Sequence, residues 1–598
     1  MELFLPTTIC SKMPADSNIS WALSSLHKDY SFPSTLILSI EMHTLLPQLS
    51  GQITTVVLAL CGLFVLFHII QTLYNIMHFR VNSTIKDLPG PPPNHWFWGN
   101  LKEIQRHDAA VLHEKWVQEY GRTYKYKMLF GRQRLFTMDT KALNHILMNH
   151  YVYQKPEVAR YQLSQILGEG VLVTEEDAHK LQRKIMNPAF GPAQIRELTQ
   201  IFVDKSVELK DIWTNQIVNA ETGVARIDVL SWLSRTALDV IGLAGFNYRF
   251  NALTDSSDEL SQAFSVMFGN PNGDRIRMWA LAQLLVPILR NLPTQEQPGF
   301  KDAKRTMTRI ARQLLRESKL SMQGNGVEFE KVEDPGNWKE RDLLSLLVRS
   351  NMSGGEHGQT MSDEDVLAQV PTFLVAGHET TSAATTWALF ALVQHPTVQH
   401  KLRQELSTLS TDNPSMDELN SLQYLDHVVR ETLRLHAPVT ASMRVAVKDD
   451  VIPLGEPFVD RKGVRRDSIE VKKGQTIFVP ILAINRDKSL WGEDALEFRP
   501  ERWDNIPSAV SSIPGVWSNL LTFLGGGRAC IGYRFSLVEM KSLLFTLVRT
   551  FEFEAAVPVE DVTARAVAVV QRPTLKSEKE KGSQLPLLVR LYQPEKAA

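Results

Sequence analysis

Apolar positions follow three regimes along this chain. From Ile53 to Ile70 the run ITTVVLALCGLFVLFHII carries no formal charge, and with Gln71 to Tyr74 it reaches the ~20 residues a helix needs to span a bilayer. A signal peptide has a shorter apolar stretch nearer the start, and a core helix normally shows a polar face. A transmembrane anchor over 53–74 is therefore predicted. Beyond the anchor most of the chain has helical period. Short alternating runs interrupt it: Tyr124 to Phe130 and Arg134 to Met138 about Gly131 predict one hairpin, and Ile469 to Val471 and Thr476 to Pro480 about Gly474 predict another. No repeat of fixed length is visible. The fold class expected is mainly α with a small, discontinuous β portion.

One long helix forms the third regime. Ser362 begins it with Asp365 in capping-box spacing, and the pattern runs to about Gln394 before Pro396 stops it. Val370, Phe373, Leu374, Val375, Ala376, Ala383, Ala384, Trp387 and Leu389 leave it no polar side, which predicts burial. Gly377, His378, Glu379, Thr380 and Thr381 nevertheless stand at its centre, where a core helix prefers leucine. A second membrane span would be destabilised by that cluster, so a functional role is the better reading.

The flanks orient the anchor. Arg80 and Lys86 follow it, whereas Leu36 to Gln52 contains no lysine or arginine, placing the C-terminal side in the cytoplasm. Residues 1–52 are then an N-terminal extension, lumenal if retained. Asn18-Ile19-Ser20 is a glycosylation acceptor there, and Met42 offers a more usual start. After the anchor, 75–93 is a linker ending in the stiff hinge Leu88-Pro89-Gly90-Pro91-Pro92-Pro93. The remainder, 94–598, is the expected catalytic domain.

Composition removes some classes. With 65 basic and 66 acidic residues the net charge is −1, giving no general reason for a nucleic-acid partner. Three cysteines, Cys10 in a polar segment, Cys61 in the apolar run and Cys530 near the end, make no disulfide framework. A lone cysteine is usually a small buried hydrophobe. Cys530, however, follows Gly525, Gly526, Gly527 and Arg528. Flexible backbone N–H groups and a cation are what a thiolate needs to stay ionised and bind a metal.

The pattern Phe-x-x-Gly-x-Arg-x-Cys-x-Gly, met by Phe523, Gly526, Arg528, Cys530 and Gly532, resembles the haem-binding signature of the cytochrome P-450 superfamily. The resemblance implies haem b with Cys530 as the axial thiolate and metal ligand. Arg528 would meet a propionate, Phe523 would cover the sulfur, and Gly532 would open the following helix. The proline hinge likewise resembles microsomal members.

Further motifs occur in the order the superfamily shows. His179-Lys180-Leu181-Gln182-Arg183 places His179 and Arg183 four apart on one helix face. By spacing alone a solvated surface serves as well, but the segment resembles the C-helix that binds haem propionates. Ala376-Gly377-His378-Glu379-Thr380-Thr381 resembles the oxygen-binding groove, which implies proton delivery by Thr380 and Glu379. Glu431 and Arg434, three apart on a helix, could form an ordinary exposed ion pair. They resemble the Glu-x-x-Arg motif, which with Arg502 of the Pro-Glu-Arg motif would make a buried structural network. Arg444 is a candidate third propionate contact. Val439, Thr440, Ala441, Ser442 and Met443 would face substrate, with an exposed loop as the alternative, and Ala376 and Gly377 would line the same space. The roof segment between Phe246 and Phe300, including Met278 to Leu289 with Pro287, is uninformative about substrate.

By this resemblance the chain is a membrane-anchored monooxygenase inserting one atom of O2 into a hydrophobic small molecule, with its catalytic domain on the cytosolic side of the endoplasmic reticulum. Its texture is similar to fungal members that oxidise terpenoids, steroids or polycyclic aromatics in secondary metabolism or detoxification. No dinucleotide fingerprint is apparent, so electrons come from a separate NADPH–cytochrome P-450 reductase, with cytochrome b5 as an optional donor. Lys180, Lys184, Arg534 and Lys541 are a candidate docking face for it. Two other readings remain: a haem-thiolate isomerase or dehydratase independent of O2 and reductase, and a non-catalytic haem sensor.

Overall fold

The computed structural model describes most of residues 82–593. Outside the description lie 1–55, scattered positions between 57 and 81, Ala109, and 256–258, 261, 264–299, 325–341, 353–359, 568–569 and 594–598. The expected extension with Asn18 and Met42, and the roof segment Met278 to Leu289 with Pro287, therefore lie outside the described residues. The backbone divides into a unit up to Thr72 and a larger one from Leu73. In the first, the described positions 62–64, 66–68 and 70–72 are helical. Leu63, Phe64, Leu66, Phe67 and Ile70 there are exposed.

In the larger unit the helices that matter for the site are α1 (Glu176–Met186), α2 (Pro192–Val218), α3 (Val229–Phe246), α4 (Asp363–Gln394), α5 (Gln423–Leu435) and α6 (Tyr533–Thr550). The capping box starts α4. The Asp365 N–H donates to Ser362 Oγ at 3.1 Å and the Ser362 N–H to Asp365 Oδ2 at 3.2 Å. The acidic first turn of Asp363, Glu364 and Asp365 complements the positive helix end. Pro371 sits inside α4 without ending it, and the next helix begins at Pro396, where the missing N–H costs nothing. α3 packs along α4, and α6 packs against both α2 and α4. By length and composition α3 could cross a membrane, but 72% of it is buried inside the domain, which makes it a core helix.

The strands are β1 (Thr123–Lys127), β2 (Gln133–Thr137), β3 (Tyr153–Gln154), β4 (Val224–Asp228), β5 (Ser442–Ala446), β6 (Asp450–Val459), β7 (Arg465–Val471), β8 (Thr476–Val479), β9 (Phe551–Ala555), β10 (Val562–Val567), β11 (Val570–Leu575) and β12 (Pro586–Leu591). They form a mixed sheet in the order β1-β2-β8-β5-β3, a sheet β4-β12-β9, and the pairs β6–β7 and β10–β11. The hairpin about Gly131 is present, with Lys125 opposite Leu135.

The hairpin expected about Gly474 is not. β7 pairs back with β6, while β8 enters the large sheet between β2 and β5. Gly474, at φ +91°, donates its N–H to Ala446 O at 2.7 Å, and the Gln475 side chain donates to Gln133 O at 3.1 Å. These bonds pull the chain across to another sheet. Alternation about a glycine marks a reversal without saying which strand is the partner.

Candidate active site

The loop 521–532 is fixed by backbone contacts that only glycine permits. A Cβ on Gly525 would overlap Pro514 O, and one on Gly526, at φ +68°, would overlap Leu147 O. The loop closes when the Cys530 N–H donates to Phe523 O at 2.9 Å, and Gly532 forms the N-cap of α6. The Phe523 ring stands edge-on to Trp517, with centroids 5.6 Å apart, and tilted against Tyr533 at 5.9 Å. Cys530 itself is accessible. Protein surrounds it closely enough that burial pushes its thiol up, tempered by the Gly532 N–H and by Arg183. A group both accessible and enclosed faces an internal space.

The long helix presents a matching stripe. Ala376 is exposed, and Gly377 and Thr380 are half-buried, at the middle of a helix whose Phe373, Leu374, His378 and Thr381 are buried. Positions 376, 377 and 380 share one face at helical period. Beside Ala376 and Thr380, Gly377 lets α3 come close, since a Cβ there would stand 2.9 Å from Ile241. Thr380 Oγ1 donates back to Ala376 O at 2.7 Å. Glu379 turns away from it, with Oε1 3.0 Å from Arg572 on β11. Burial raises the Glu379 carboxyl while Arg572 lowers it, and burial prevails. The acid and the alcohol are thus neighbours in sequence with separate partners. His378 is held neutral, burial bringing it down to about 4. Thr381 faces Glu539 of α6, a fully enclosed carboxyl that burial drives well above its ordinary value.

Near α1 a group of basic side chains gathers. His179 is buried and pushed down to about 3, first by burial and then by Lys155, Arg183 and His150. Arg183 bonds Ala529 O and lies near enough to Cys530 to feel its charge. Arg444 is 2% exposed on β5, and burial lowers it to about 10. It donates to Ser442 Oγ at 2.7 Å and Met443 O at 2.8 Å, and no carboxylate among the described residues pairs with it. Arg528 is paired with Glu175 and donates to Thr174 O at 2.8 Å. Lys155, absent from the sequence-based candidates, lies well below the ordinary lysine range through burial and then Arg528, Arg444 and Arg160. Buried Arg160 Nε also has no hydrogen-bond partner among the described residues. Lys155 stands before Pro156 in a stretch without a spacing signal, so only the fold could reveal it.

This cluster fits haem. Converging buried cations that outnumber their acid, Glu175, are costly unless an anion joins them. Two propionates would supply that charge. The accessible thiol and the accessible stripe of α4 supply walls for the macrocycle.

Glu431, Arg434 and Arg502 meet away from this space. Arg434 grips Glu431 at 2.9 and 2.8 Å, and Arg502 Nε lies 3.3 Å from Glu431 Oε1. All three are at most 1% exposed. Two partners were not legible in the motifs: Asp494, 2.6 Å from Arg502, and Trp503 Nε1, 3.1 Å from Glu431. Residues 439–443 are half-buried between buried Pro438 and buried Arg444, so they do not form an exposed loop. Of the candidate docking residues, Lys180, Lys184 and Arg534 are exposed. Lys541 is a correction. It is 4% exposed, with its ammonium 2.8 Å from Asp426 and 3.0 Å from Asn420, because its side of α6 is the one packed inward.

Comparison with known proteins agrees with this geometry. A family model described as Cytochrome P450 matches residues 89–577. Cytochrome P450 monooxygenase 205 of Postia placenta is 55% identical over 513 residues, 85% of this chain and 93% of that protein. Cytochrome P450 monooxygenase 128 of the same fungus is 52% identical over 520 residues, covering 86% and 94%. Cytochrome P450 monooxygenase claQ of Ampulloclitocybe clavipes is 36% identical over 511 residues, covering 84% and 92%.

Proposed function

The chain belongs to the cytochrome P450 family, and on that footing we propose that Cys530 is the axial thiolate of a haem-dependent monooxygenase acting on hydrophobic small molecules. The observation that carries the assignment is the accessible Cys530 thiol in a loop otherwise locked by backbone contacts. When bound, haem ligated by a thiolate supplies the chemistry that activates O2, with electrons from a reductase.

The protein holds, screens and protonates. Gly526 and Gly532 shape the loop so that the Gly532 N–H reaches the sulfur, and Phe523 covers that side. Arg183, Arg444, Arg528 and His179, joined by Lys155, hold the propionates. Thr380 passes protons into the cavity that Ala376 and Gly377 line, and Glu379 supplies them. Because Glu379 is bound to Arg572, proton supply requires the carboxyl to swing from the arginine toward Thr380. Glu431, Arg434 and Arg502 brace the fold beneath the cysteine loop, and Val439 to Met443 contact substrate. The substrate class proposed is terpenoid, steroid or polycyclic aromatic, in fungal secondary metabolism or detoxification.

The finer cellular reading is an endoplasmic reticulum protein. It would be anchored once by 53–74, with a retained 1–52 segment lumenal and 94–598 cytosolic, drawing electrons from an NADPH-dependent reductase and contacting lipid. The uncharged run from Ile53 to Ile70 and the basic residues after it support this.

The reduced, CO-treated absorption spectrum tests the ligand. A Soret band at the long wavelength typical of thiolate ligation is expected, and its survival in Cys530→Ala would sink the assignment. A turnover screen of terpenes, steroids and aromatic hydrocarbons with reductase tests the substrate class. Turnover that persists without NADPH would favour isomerase chemistry instead.

A further inference from the structure

The segment Arg465-Arg466-Asp467-Ser468 holds the only two adjacent arginines of the chain. It falls on β7, one half of a two-stranded sheet, so that one edge of β7 has no partner strand among the described residues. Alternation along β7 turns Ile469 and Val471 inward, where both are buried, and sets Ser468 on the outward side with Arg466 and Glu470. Arg465 and Arg466 are exposed, and Ser468 is half-buried. The Ser468 hydroxyl donates to Asp467 Oδ1 at 3.1 Å in an exposed bond.

The ladder is weak at this serine. Ser468 stands opposite Pro453, which has no N–H to give, and the register breaks between Pro453 and Phe458. In that break the Gly455 and Glu456 N–H groups donate to Asp139 at 2.8 and 2.9 Å, and Asp467 is left without an opposite residue on β6. An extended segment with a free edge and an interrupted ladder can enter an enzyme cleft as an added strand while the core stays folded. The Arg466 guanidinium lies 3.1 Å from Asp460, but its side chain is 49% exposed, so water screens the pair and another carboxylate can replace Asp460.

We propose that Ser468 is a phosphate acceptor for an arginine-directed protein kinase. Carboxylates in the kinase cleft take Arg465 and Arg466, three and two residues before the hydroxyl, as bidentate partners. In the transfer the bond from the γ-phosphorus of a nucleoside triphosphate to its bridging oxygen breaks and a bond to Ser468 Oγ forms. The hydroxyl proton passes to the catalytic carboxylate of the kinase, and nucleoside diphosphate leaves. The phosphoserine carries a charge of about −1.5 to −2. It lies on the hairpin that holds the linker, where Thr84 Oγ1 donates to Glu470 O at 2.5 Å and the Arg461 guanidinium donates to Gly90 O at 2.7 Å.

The test uses the full-length, haem-loaded protein in neutral detergent. It is incubated with ATP, magnesium and the catalytic subunit of a cyclic-AMP-dependent protein kinase, and phosphate is mapped by peptide mass spectrometry. Wild type should approach one phosphate per chain at Ser468, with the CO spectrum retained in the phosphorylated fraction. Ser468→Ala should remove that phosphate. Arg465→Gln/Arg466→Gln should slow its incorporation about 10-fold or more, with the CO spectrum and circular dichroism unchanged. A kinase directed to acidic flanks, used at equal activity toward its own peptide, should leave Ser468 unmodified. No phosphate at Ser468, phosphate there only in protein that has lost its haem, an unchanged rate in the arginine variant, or equal modification by the acid-directed kinase overturns the proposal.

Discussion

Glu379 holds its carboxylate 3.0 Å from the Arg572 guanidinium, while the adjacent Thr380 hydroxyl bonds to its own helix at Ala376 O. The carboxyl proposed to deliver protons is therefore held by a strand outside the long helix. The Arg572 strand is itself pinned, since Gln571 N donates to Pro438 O at 2.7 Å and Trp387 Nε1 donates to Gln571 O at 3.1 Å.

Removing the arginine leaves burial to act alone on Glu379. Arg572→Gln should move the basic limb of the pH profile for product formed per NADPH to higher pH, because the carboxyl then keeps its proton longer. Glu379→Gln should lower product formation about 100-fold or more with haem content unchanged. An unshifted limb in Arg572→Gln would separate the ion pair from proton delivery.

The cation cluster predicts how firmly haem is held. A hydrogen bond to a charged group is worth about 1.5–3 kcal/mol. Arg444→Met or Lys155→Met should accordingly speed haem loss to an apoprotein scavenger roughly 10- to 100-fold. Lys155→Met should also raise His179 from about 3, since Lys155 is the largest charge depressing it. Proton NMR of the imidazole gives that readout independently of turnover. Unchanged haem loss together with an unmoved His179 would take Lys155 out of the site.

Much of this was legible in the chain because helices announce themselves locally. Ser362, Asp365 and the uninterrupted apolar surface of α4 specify that helix from end to end. Spacing alone put Glu431 near Arg434. What the sequence hid is carried by long-range pairing. Thr476–Val479 follows Gly474 as a hairpin strand would, yet its partner β2 lies far back in the chain. Arg572 and Lys155 have no motif around them, and the acid that Arg572 meets and the arginines that Lys155 joins belong to distant segments. Lys541 misleads for the converse reason: a lysine reads as surface until the helix face that it occupies is packed against Asp426.

The buried ion network predicts a steep stability effect. Glu431→Gln leaves Arg434 without its carboxylate and Arg502 with Asp494 alone, where both arginines are at most 1% exposed, a loss of about 3–5 kcal/mol. Asp494→Asn should cost less, because its side chain is 24% exposed and water can screen the remaining arginine. Urea unfolding of both variants would show the difference as a larger fall in midpoint for Glu431→Gln. Equal shifts would mean that Asp494 holds the network as firmly as Glu431 does.

Acid sensitivity follows from His113. Its ring stacks on Phe136 with centroids 5.1 Å apart, and its Nδ1 is 2.9 Å from Tyr124 Oη. Burial and then Arg134 bring it down from 6.5 to about 3. Between those values the unfolded chain binds a proton that the folded one refuses, so stability is complete above pH 6.5 and falls as pH drops toward 3. The slope from this one group approaches about 1.4 kcal/mol per pH unit. His113→Gln keeps a hydrogen-bonding group for Tyr124 without titrating. It should be less stable than wild type at neutral pH, yet lose less on acidification, so the two stability curves converge as pH falls. Parallel curves from pH 7 to 4 would show that His113 remains neutral in both states or charged in both.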